Sequence, residues 1–297
     1  ALTAADRSGV GLVVFGSEDY PELLARIPDP PPALWVRGAL DIGLGPVAIV
    51  GSRTATPHGL EMGLRLGEDL ARAGLCVVSG LARGVDAAAH RGALRAGGRT
   101  IAVLGCGIDV TYPPEHEALA RDIVASGALI SEFAPGTPPV SWHFPRRNRV
   151  ISGLCHAVVV VEASDRSGSL ITARRALEQG RDVMAVPGGV LSGRNRGAHG
   201  LLRDGARVVE DVQDVLEELR LTGPKRKPGE TPTDLKSPDP VLRHMAEGEA
   251  YDVETLSGLC GLDPVRLLGK LTQLELAGWI CRAGGGRFVK GGANVLR

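Results

Sequence analysis

Residues 142–173 read WHFPRRNRVISGLCHAVVVVEASDRSGSLITA and contain the parts of a strand–turn–helix unit. The run 157–161 is continuously apolar, which is typical of a strand covered on both faces. The turn Ser167-Gly168-Ser169 follows it and opens a segment of helical spacing. Arginines and an aromatic pair precede the strand, and backbone N–H donors follow it. This arrangement suits a ligand with both phosphates and exposed bases, so single-stranded nucleic acid is the first hypothesis.

Short apolar runs alternate with helical segments from residue 47 onward. The helical segments hold about 10 to 20 residues with apolar residues three and four apart, as in Leu60, Leu64, Leu66 and Leu70 of the first. This alternation predicts an α/β fold with βαβ units and a doubly wound, mostly parallel sheet. The predicted strands are 47–50, 75–78, 100–104, 128–130, 157–161, 182–186 and 207–209.

The chain beyond residue 221 has a different composition. Residues 222–240 hold five prolines and almost no large apolar side chain, which predicts a linker. Three short helical segments and a glycine-tipped hairpin follow, a pattern typical of a small winged-helix-like domain. The helices are expected at 241–247, 253–260 and 264–277, and the strands at 279–281 and 287–290. The predicted parts are an N-terminal extension (1–40), the sheet domain (41–221), the linker (222–240) and the winged-helix-like domain (241–297).

The third helix of the winged-helix-like domain is the one that would read DNA. Near its start it carries only Arg266 and Lys270 as basic residues, with Asp263 beside them. A contact with protein, or support of a dimer, is therefore favoured over DNA reading by this domain.

Composition and short motifs exclude several classes of protein. No run approaches the ~18 apolar residues of a membrane span, and no signal-peptide pattern opens the chain. The five cysteines are isolated and lack CxxC spacing, so we expect small buried side chains in a reducing cytoplasm. The histidines show no metal-ligand spacing. Because GxxxxGK[ST] and GxGxxG are also missing, neither a metal nor a nucleotide cofactor is expected.

The net charge of zero conceals a strong segregation of charge along the chain. Residues 141–207 hold eleven arginines against five acids, a net charge of +6. Residues 208–256 hold twelve acids against six basic residues, a net charge of −6. Because a nucleic-acid footprint is local, the basic segment is compatible with a neutral protein that binds nucleic acid.

Four glycine-rich turns fall where strands should end and helices begin. In an open α/β sheet these turns share the carboxyl edge of the strands, where ligands bind. Glycine lets the backbone approach a phosphate, and a helix N-terminus adds unpaired N–H groups and partial positive charge. Asp86, at a helix start, is interpreted as a first-turn charge rather than a catalytic acid. The turns are Gly51-Ser52-Arg53, 79–84, Ser167-Gly168-Ser169 and Pro187-Gly188-Gly189.

The aromatic residues Trp142 and Phe144 stand two apart beside the arginine run. In an extended segment both rings would face one surface. They could then stack on bases, at about 1–3 kcal/mol per base, or else plug the edge of the core. In the first case Arg146, Arg147 and Arg149 would hold phosphates through their planar, forked donors.

Taken in order, several motifs resemble the DprA (Smf) family of bacterial DNA-processing proteins over roughly residues 20–219. They are VAIVGSR, VVSGLARGVDAAAH, TIAVLGCGIDVTYP, LISEFAPGTPP, HFPRRNRVISGL, SGSLITARRALEQGRDVMAVPG and GAHGLLRDGA. The resemblance implies an extended Rossmann core that binds single-stranded DNA without catalysis and forms a homodimer. It also implies protection of incoming DNA, displacement of single-strand-binding protein and loading of RecA in natural transformation. Residues 1–40 would then be the remnant of a family N-terminal domain.

Matched motif by motif, the resemblance implies which residues form the DNA site. Arg146 would replace a lysine that other members carry shortly before the HFP segment. The dimer surface would lie around residues 175–219, with RecA contacts nearby. The expected DNA-binding residues are Gly51, Ser52, Arg53, Arg83, Phe144, Arg146, Arg147, Asn148, Arg149, Ser167, Gly168 and Ser169.

Two other functions remain open. The Pro187-Gly188-Gly189 turn also occurs in nucleotide phosphoribohydrolases of the lysine-decarboxylase-like (LOG) group, whose signature is PGGxGTxxE. Here Val190, Leu191 and Ser192 follow the turn, so no residue is evident that would act as the general acid or base. A protein-binding scaffold without nucleic-acid affinity is the third hypothesis.

Overall fold

The computed structural model describes residues 9–43, 45–221, 239–246, 249–276, 279–283 and 285–290. The chain forms two compact units, each described by itself below. The larger comprises Ala1–Ala55 and Met62–Pro224, and the smaller comprises Thr56–Glu61 and Lys225–Arg297.

The larger unit contains one nine-stranded sheet, counted over the described residues, in the order β1-β2-β6-β5-β4-β3-β7-β8-β9. Neighbours from β6 to β9 pair in parallel, whereas β1 and β2 add an antiparallel margin beside β6. The predicted mostly parallel, doubly wound sheet is therefore confirmed. The strands are β1 (Val10–Val14), β2 (Ala33–Gly38), β3 (Val47–Val50), β4 (Val77–Ser79), β5 (Thr100–Val103), β6 (Ala128–Ser131), β7 (Ala157–Val160), β8 (Asp182–Ala185) and β9 (Arg207–Val208).

Helices cover both faces of this sheet, which explains the continuous apolar runs. In β3, Ala48 and Val50 join the core on one face, while Val47 and Ile49 join the core on the other. A short 3₁₀ helix, Pro114–His116, follows β5. The helices are α1 (Glu22–Ala25), α2 (Pro57–Arg72), α3 (Val85–Arg95), α4 (Glu117–Ser126), α5 (His143–Gly153), α6 (Ser169–Glu178), α7 (Arg196–Arg203) and α8 (Val212–Glu218).

The strand order reverses between β3 and β7. From β3 the chain winds outward through β4, β5 and β6, then returns to β7 on the other side and winds outward through β8 and β9. In open α/β sheets such a reversal leaves a crevice outside the carboxyl ends of the two central strands. The turns that follow β3 and β7 therefore face the same crevice.

The strands β1 and β2, both within the predicted N-terminal extension, pair into the sheet of the larger unit. Val36 of β2 lies opposite Ile130 of β6 in the antiparallel register, and Leu34 and Val36 are buried in the main core. The pairing joins segments about 90 residues apart in the chain, which local sequence patterns do not reveal.

The segment around Trp142 and Phe144 is a helix, so the prediction that it is extended was wrong. The helix α5 begins at His143 and places Pro145 in its first turn. The missing N–H of proline costs nothing there, because the first turn has no intrahelical acceptor for it.

The smaller unit combines helices with a three-stranded sheet of order β10-β12-β11, counted over the described residues. Leu256, Leu267, Leu271 and Phe288 contribute to its separate core. The predicted winged-helix-like architecture is confirmed, although the short strand β10 was missed and residues 222–238 of the predicted linker lie outside the described residues. Its elements are α9 (Pro240–Arg243), β10 (Ala250–Tyr251), α10 (Val253–Cys260), α11 (Pro264–Leu276), β11 (Ile280–Ala283) and β12 (Arg287–Lys290).

Candidate nucleic-acid interface

A pocket of about 360 Å³ lies at the reversal point of the sheet. Its walls are the turn after β3, the turn after β7 with the start of α6, and one face of α5. Arg83, Arg146 and Arg149 of the predicted set do not line it. The predicted residues that the pocket brings together are Gly51, Ser52, Arg53, Phe144, Arg147, Asn148, Ser167, Gly168 and Ser169.

Arg53 and Phe144 form the exposed rim of the pocket. The Arg53 guanidinium carbon lies 5.4 Å from the centroid of the Phe144 ring, within the range of a cation–π contact. Arg53 is exposed, and among the described residues its side chain has no hydrogen-bond or ion-pair partner. Its forked donors are therefore available to an anion.

Trp142 and Phe144 do not share a surface, contrary to the expectation from an extended segment. Trp142 is 60% exposed and packs edge-on against His143, with ring centroids 4.1 Å apart. The His143 ring in turn lies 4.1 Å from that of Phe133. Phe144 alone of the pair lines the pocket, because residues two apart on a helix point in nearly opposite directions.

Arg147 is buried beneath the pocket and links two strand ends at the sheet edge through hydrogen bonds. Its guanidinium donates to the Gly80 carbonyl at 2.9 Å and to the Val103 carbonyl, so it joins the ends of β4 and β5. Burial lowers the pKa of Arg147 to about 10, and the nearby Asp86 carboxylate opposes this effect. Arg147 therefore stays charged at neutral pH and contributes positive potential from below.

Asp86 lies in the first turn of α3, as expected, and also lines the pocket. Its carboxylate accepts the backbone N–H groups of Gly80 at 3.1 Å and of Ala82 at 3.4 Å. Burial raises the pKa of Asp86, while Arg147 and the two N–H groups lower it. Through these contacts Asp86 stabilises the 80–84 turn and offsets the positive charge of Arg147.

The turn after β7 presents the start of α6 to the pocket. Ser167 and Ser169 join their hydroxyl oxygens at 2.7 Å, and Asn148 of α5 donates to the Gly168 carbonyl at 3.3 Å. The helix is ten residues long, and the partial positive charge at its N-terminus favours an anion in front of it. The first N–H groups of this helix are occupied within the turn, since Leu170 and Ile171 donate to the Ser167 and Gly168 carbonyls. Serine hydroxyls at the same place can donate to phosphate oxygens.

Arg149 does not reach the pocket, contrary to prediction. Its guanidinium forms a two-bond pair with Glu132, at 3.1 and 2.8 Å, and donates to Asp29 at 3.0 Å. Arg146, 51% exposed, approaches the same Glu132 at 3.3 Å. Both arginines thus lie on a face of α5 that meets a buried carboxylate, and Arg149 is an internal ion-pair partner.

Arg83 lies outside the pocket wall, on the turn after β4. Its side chain is about half exposed and forms an ion pair with Glu115 at 2.5 Å. Arg83 is therefore at the surface, but its charge is matched in this structure.

Sequence reasoning missed several polar groups that complete the pocket. Ser164 follows β7, Thr172 lies one turn into α6, and Thr54 extends the turn after β3. Each stands within a few residues of a predicted site residue. Their position at the carboxyl edge of the sheet could have indicated them as site residues. Serine and threonine by themselves indicate nothing, because both are common in turns.

The described residues also limit other chemistry. Cys76, Cys106 and Cys155 are buried free thiols, and burial raises the pKa of Cys76 to about 12. Within the described ranges no group of three or more His, Cys, Asp or Glu side chains could hold a metal ion. None of the helices in the same ranges is long and apolar enough to cross a membrane.

The fold and the pocket together define a class of protein. It is a doubly wound α/β protein with a winged-helix-like module, and its reversal-point pocket offers an exposed arginine, an aromatic ring and a helix N-terminus. Such a pocket matches an anionic ligand that also has a flat, apolar part.

Comparisons with known proteins assign the family. A family described as DNA recombination-mediator protein A matches residues 11–220, and the DprA winged helix domain matches residues 224–286. Protein Smf of Escherichia coli (strain K12) is 41% identical over 285 residues, or 93% of this chain and 76% of that protein. DNA processing protein DprA of Streptococcus pneumoniae is 48% identical over 201 residues, or 67% of this chain and 71% of that protein. The chain belongs to the DprA (Smf) family of DNA-processing proteins.

Solved structures agree with this assignment. The crystal structure of DprA from Streptococcus pneumoniae has a TM-score of 0.68 at 42% identity, and the match covers 73% of this chain and 78% of that one. DNA processing protein A from Helicobacter pylori has a TM-score of 0.64 at 28% identity, covering 71% of this chain and 95% of that one. The Helicobacter pylori structure was described for that protein's single-stranded DNA binding mode.

Proposed function

We propose that this protein binds single-stranded DNA in the reversal-point pocket, without catalysis, as its Helicobacter pylori relative binds single strands. The observation that carries the proposal is the exposed, unpaired Arg53 beside the Phe144 ring at the mouth of the pocket. A phosphate and a base are the two parts of a ligand that this pair would recognise.

Different groups of the pocket would bind the phosphate and the base of a DNA strand. A phosphate would take donors from Arg53 and from the serine hydroxyls at the start of α6, while Arg147 attracts it from beneath. A base would stack on Phe144, a contact indifferent to its identity because every base has a π-face. With so few cationic groups at the pocket, each subunit would hold few phosphates, and affinity should fall with salt.

We further propose that the protein protects incoming single-stranded DNA and loads RecA onto it in the cytoplasm during natural transformation, against single-strand-binding protein. This more specific role rests on membership of the DprA family and is what the motif resemblance implies. Its test is a RecA loading assay on strands coated with single-strand-binding protein. A protein that binds single strands but does not accelerate RecA assembly would contradict this part alone.

A homodimer is part of the proposal, with its contact in residues 175–219. The edge strand β9 supports this placement, because its outer side is unpaired within the described sheet and Val208 is 45% exposed. Leu177, 60% exposed, lines a nearby cavity of about 510 Å³ together with Arg207. Two pockets in one dimer would raise the affinity for long strands through effective concentration. Dimer disruption should then weaken binding to long oligonucleotides far more than to hexamers, and equal losses would contradict it.

For the winged-helix-like domain we propose a protein contact. In α11, Lys270 pairs with Asp239 at 3.1 Å, so one of the two basic residues near the helix start is already matched. Val265 and Leu268 of the same helix are 78% and 45% exposed, an apolar surface better suited to protein than to phosphates.

The primary test is fluorescence anisotropy of a labelled dT oligomer at low and raised salt, with duplex DNA as competitor. Arg53→Ala should weaken binding and reduce the salt slope by about 0.7, the value for one phosphate contact on a single strand. The control is Arg121→Ala, which removes another exposed arginine, on α4, that pairs with Glu117. Binding that is indifferent to Arg53, or that duplex abolishes readily, would refute the proposed pocket.

The nucleotide phosphoribohydrolase remains the alternative to be tested. Its expected Pro187-Gly188-Gly189 turn follows β8 and does not line the pocket, and Asp86 is the acidic residue that does. Incubation with nucleoside monophosphates and a search for released base would decide, because only the enzyme would liberate base.

A further inference from the structure

A second ring, Tyr112, adjoins Phe144 and is not among the residues that line the pocket. Tyr112 lies in the loop after β5, at the carboxyl edge of the sheet, and is 36% exposed. Its ring centroid is 5.4 Å from that of Phe144, with the planes tilted by 42°. The two rings therefore form a continuous aromatic surface that begins at the rim of the pocket.

A second arginine lies beyond Tyr112. The Arg83 guanidinium is exposed, and its pKa is raised, first by the hydrogen bond to Glu115 and further by the phenol of Tyr112. Arg53 thus lies at the Phe144 ring, Phe144 adjoins Tyr112, and Arg83 interacts electrostatically with the Tyr112 phenol.

We propose that Tyr112 and Arg83 form a second nucleotide subsite, in which Tyr112 stacks on a base and Arg83 holds the adjoining phosphate. This inference rests on the proposed single-stranded DNA function and extends it by one nucleotide along the carboxyl edge of the sheet. Stacking needs an aromatic ring that a base can reach beside a cation that can take the backbone, and the partly exposed Tyr112 and the exposed Arg83 would supply these two parts. The subsite would add a second ring and a second arginine to the Arg53–Phe144 pair.

Glu115 gives the second subsite a feature that the pocket lacks. Its side chain is half exposed and occupies Arg83 in the DNA-free protein. An arriving phosphate must displace that carboxylate, whereas at Arg53 no described side chain competes. Glu115 therefore lowers the affinity of the subsite, and its removal should tighten binding.

The test compares a dT oligomer with an abasic deoxyribose-phosphate oligomer of the same length. Tyr112→Ala should weaken dT binding by about 5- to 150-fold and leave the abasic oligomer unaffected, because only a base can stack. Tyr112→Phe keeps the ring and should bind dT like the wild type. Glu115→Gln should tighten both oligomers by about two- to fivefold at low salt, and less at raised salt.

Each failure has its own meaning. Equal weakening of both oligomers by Tyr112→Ala would make Tyr112 a support for Phe144 and refute base stacking on it. Unchanged affinity in Glu115→Gln would refute Arg83 as a phosphate ligand. If the wild type binds no dT at all, the proposed function itself fails. Wild-type dT affinity in both Tyr112→Ala and Glu115→Gln would refute the second subsite and leave the proposed function intact.

Discussion

Replacement of Arg149 by methionine separates internal ion pairing from DNA binding. Arg149 makes two hydrogen bonds to Glu132 and one to Asp29, and the Arg149 and Glu132 side chains are only 8% and 4% exposed. Arg149→Met leaves the buried Glu132 charge with Arg146 as its remaining ion-pair partner. Breaking such a buried pair costs about 3–5 kcal/mol of unfolding free energy. For a unit of this size that corresponds to a fall of about 6–20 °C in Tm.

The assay is urea denaturation followed by far-UV circular dichroism, paired with dT anisotropy at a temperature where the variant is folded. Arg149→Met should lose stability but keep dT affinity within about twofold of the wild type, since Arg149 does not line the pocket. Arg53→Ala should behave in the opposite way. The double variant Arg149→Met, Glu132→Met should recover part of the stability, because it leaves no uncompensated carboxylate.

One result would refute this reasoning. If Arg149→Met retains its urea midpoint and loses dT binding, Arg149 contacts DNA and the ion pair seen in the structure is not its main role. The prediction from the sequence, in which Arg149 holds a phosphate, would then stand.

Three further substitutions test the pocket and the core. Gly84→Ala should lower the unfolding free energy by about 3 kcal/mol in urea denaturation, since Gly84 has φ of +77° and its Cβ would lie 2.1 Å from the Ser52 carbonyl. Burial lowers the pKa of His90 to about 3. As the pH falls, the imidazole is therefore protonated in the unfolded chain before it is protonated in the folded protein. Between pH 7 and 5 the wild type should lose about 2 kcal/mol through this group, and His90→Asn should show a flatter pH dependence of unfolding. Gly105→Ala would place a Cβ 2.8 Å from Phe144 Cδ1, and anisotropy should show about a fivefold loss of dT affinity as the ring shifts. Unchanged values in any of these assays would contradict the corresponding contact.

The central parallel strands were predictable because they are covered on both faces. In β3 and β7, every residue is buried, so the apolar run in the sequence coincides with the strand. The strand β1 has a partly exposed pattern, and Leu12 and Val14 are exposed at the margin. Its place depends on β2 and β6, and therefore on contacts between distant segments rather than on local period.

The location of the pocket was also predictable, but not the use of its arginines. The reversal of strand order fixes which turns face one crevice, and three of the four glycine turns contribute residues that line it. Which arginine reaches the crevice depends on the conformation of residues 142–149, since an extended chain and a helix distribute side chains differently. Pro145 is compatible with the observed helix, because the first turn of a helix accepts proline.

Helical periodicity explains how α5 divides its arginines. Phe144, Arg147, Asn148 and Ile151 recur at intervals of three and four and all line the pocket. Arg146 and Arg149, three apart on another face, meet Glu132. The +6 charge of residues 141–207 therefore overstates the cationic groups available to DNA.

Other arginines of the basic segment are also engaged within the protein. Arg181 donates to the Leu23 carbonyl, Arg175 pairs with Glu178, and Arg207 pairs with Glu217 and Glu218. Because counterion release counts only phosphates neutralised at the interface, a monomer should show a shallow salt slope despite the arginine-rich sequence. In the proposed homodimer, strong binding of long strands would come from two pockets engaged together, so the spacing of the pockets would matter more than the charge of either.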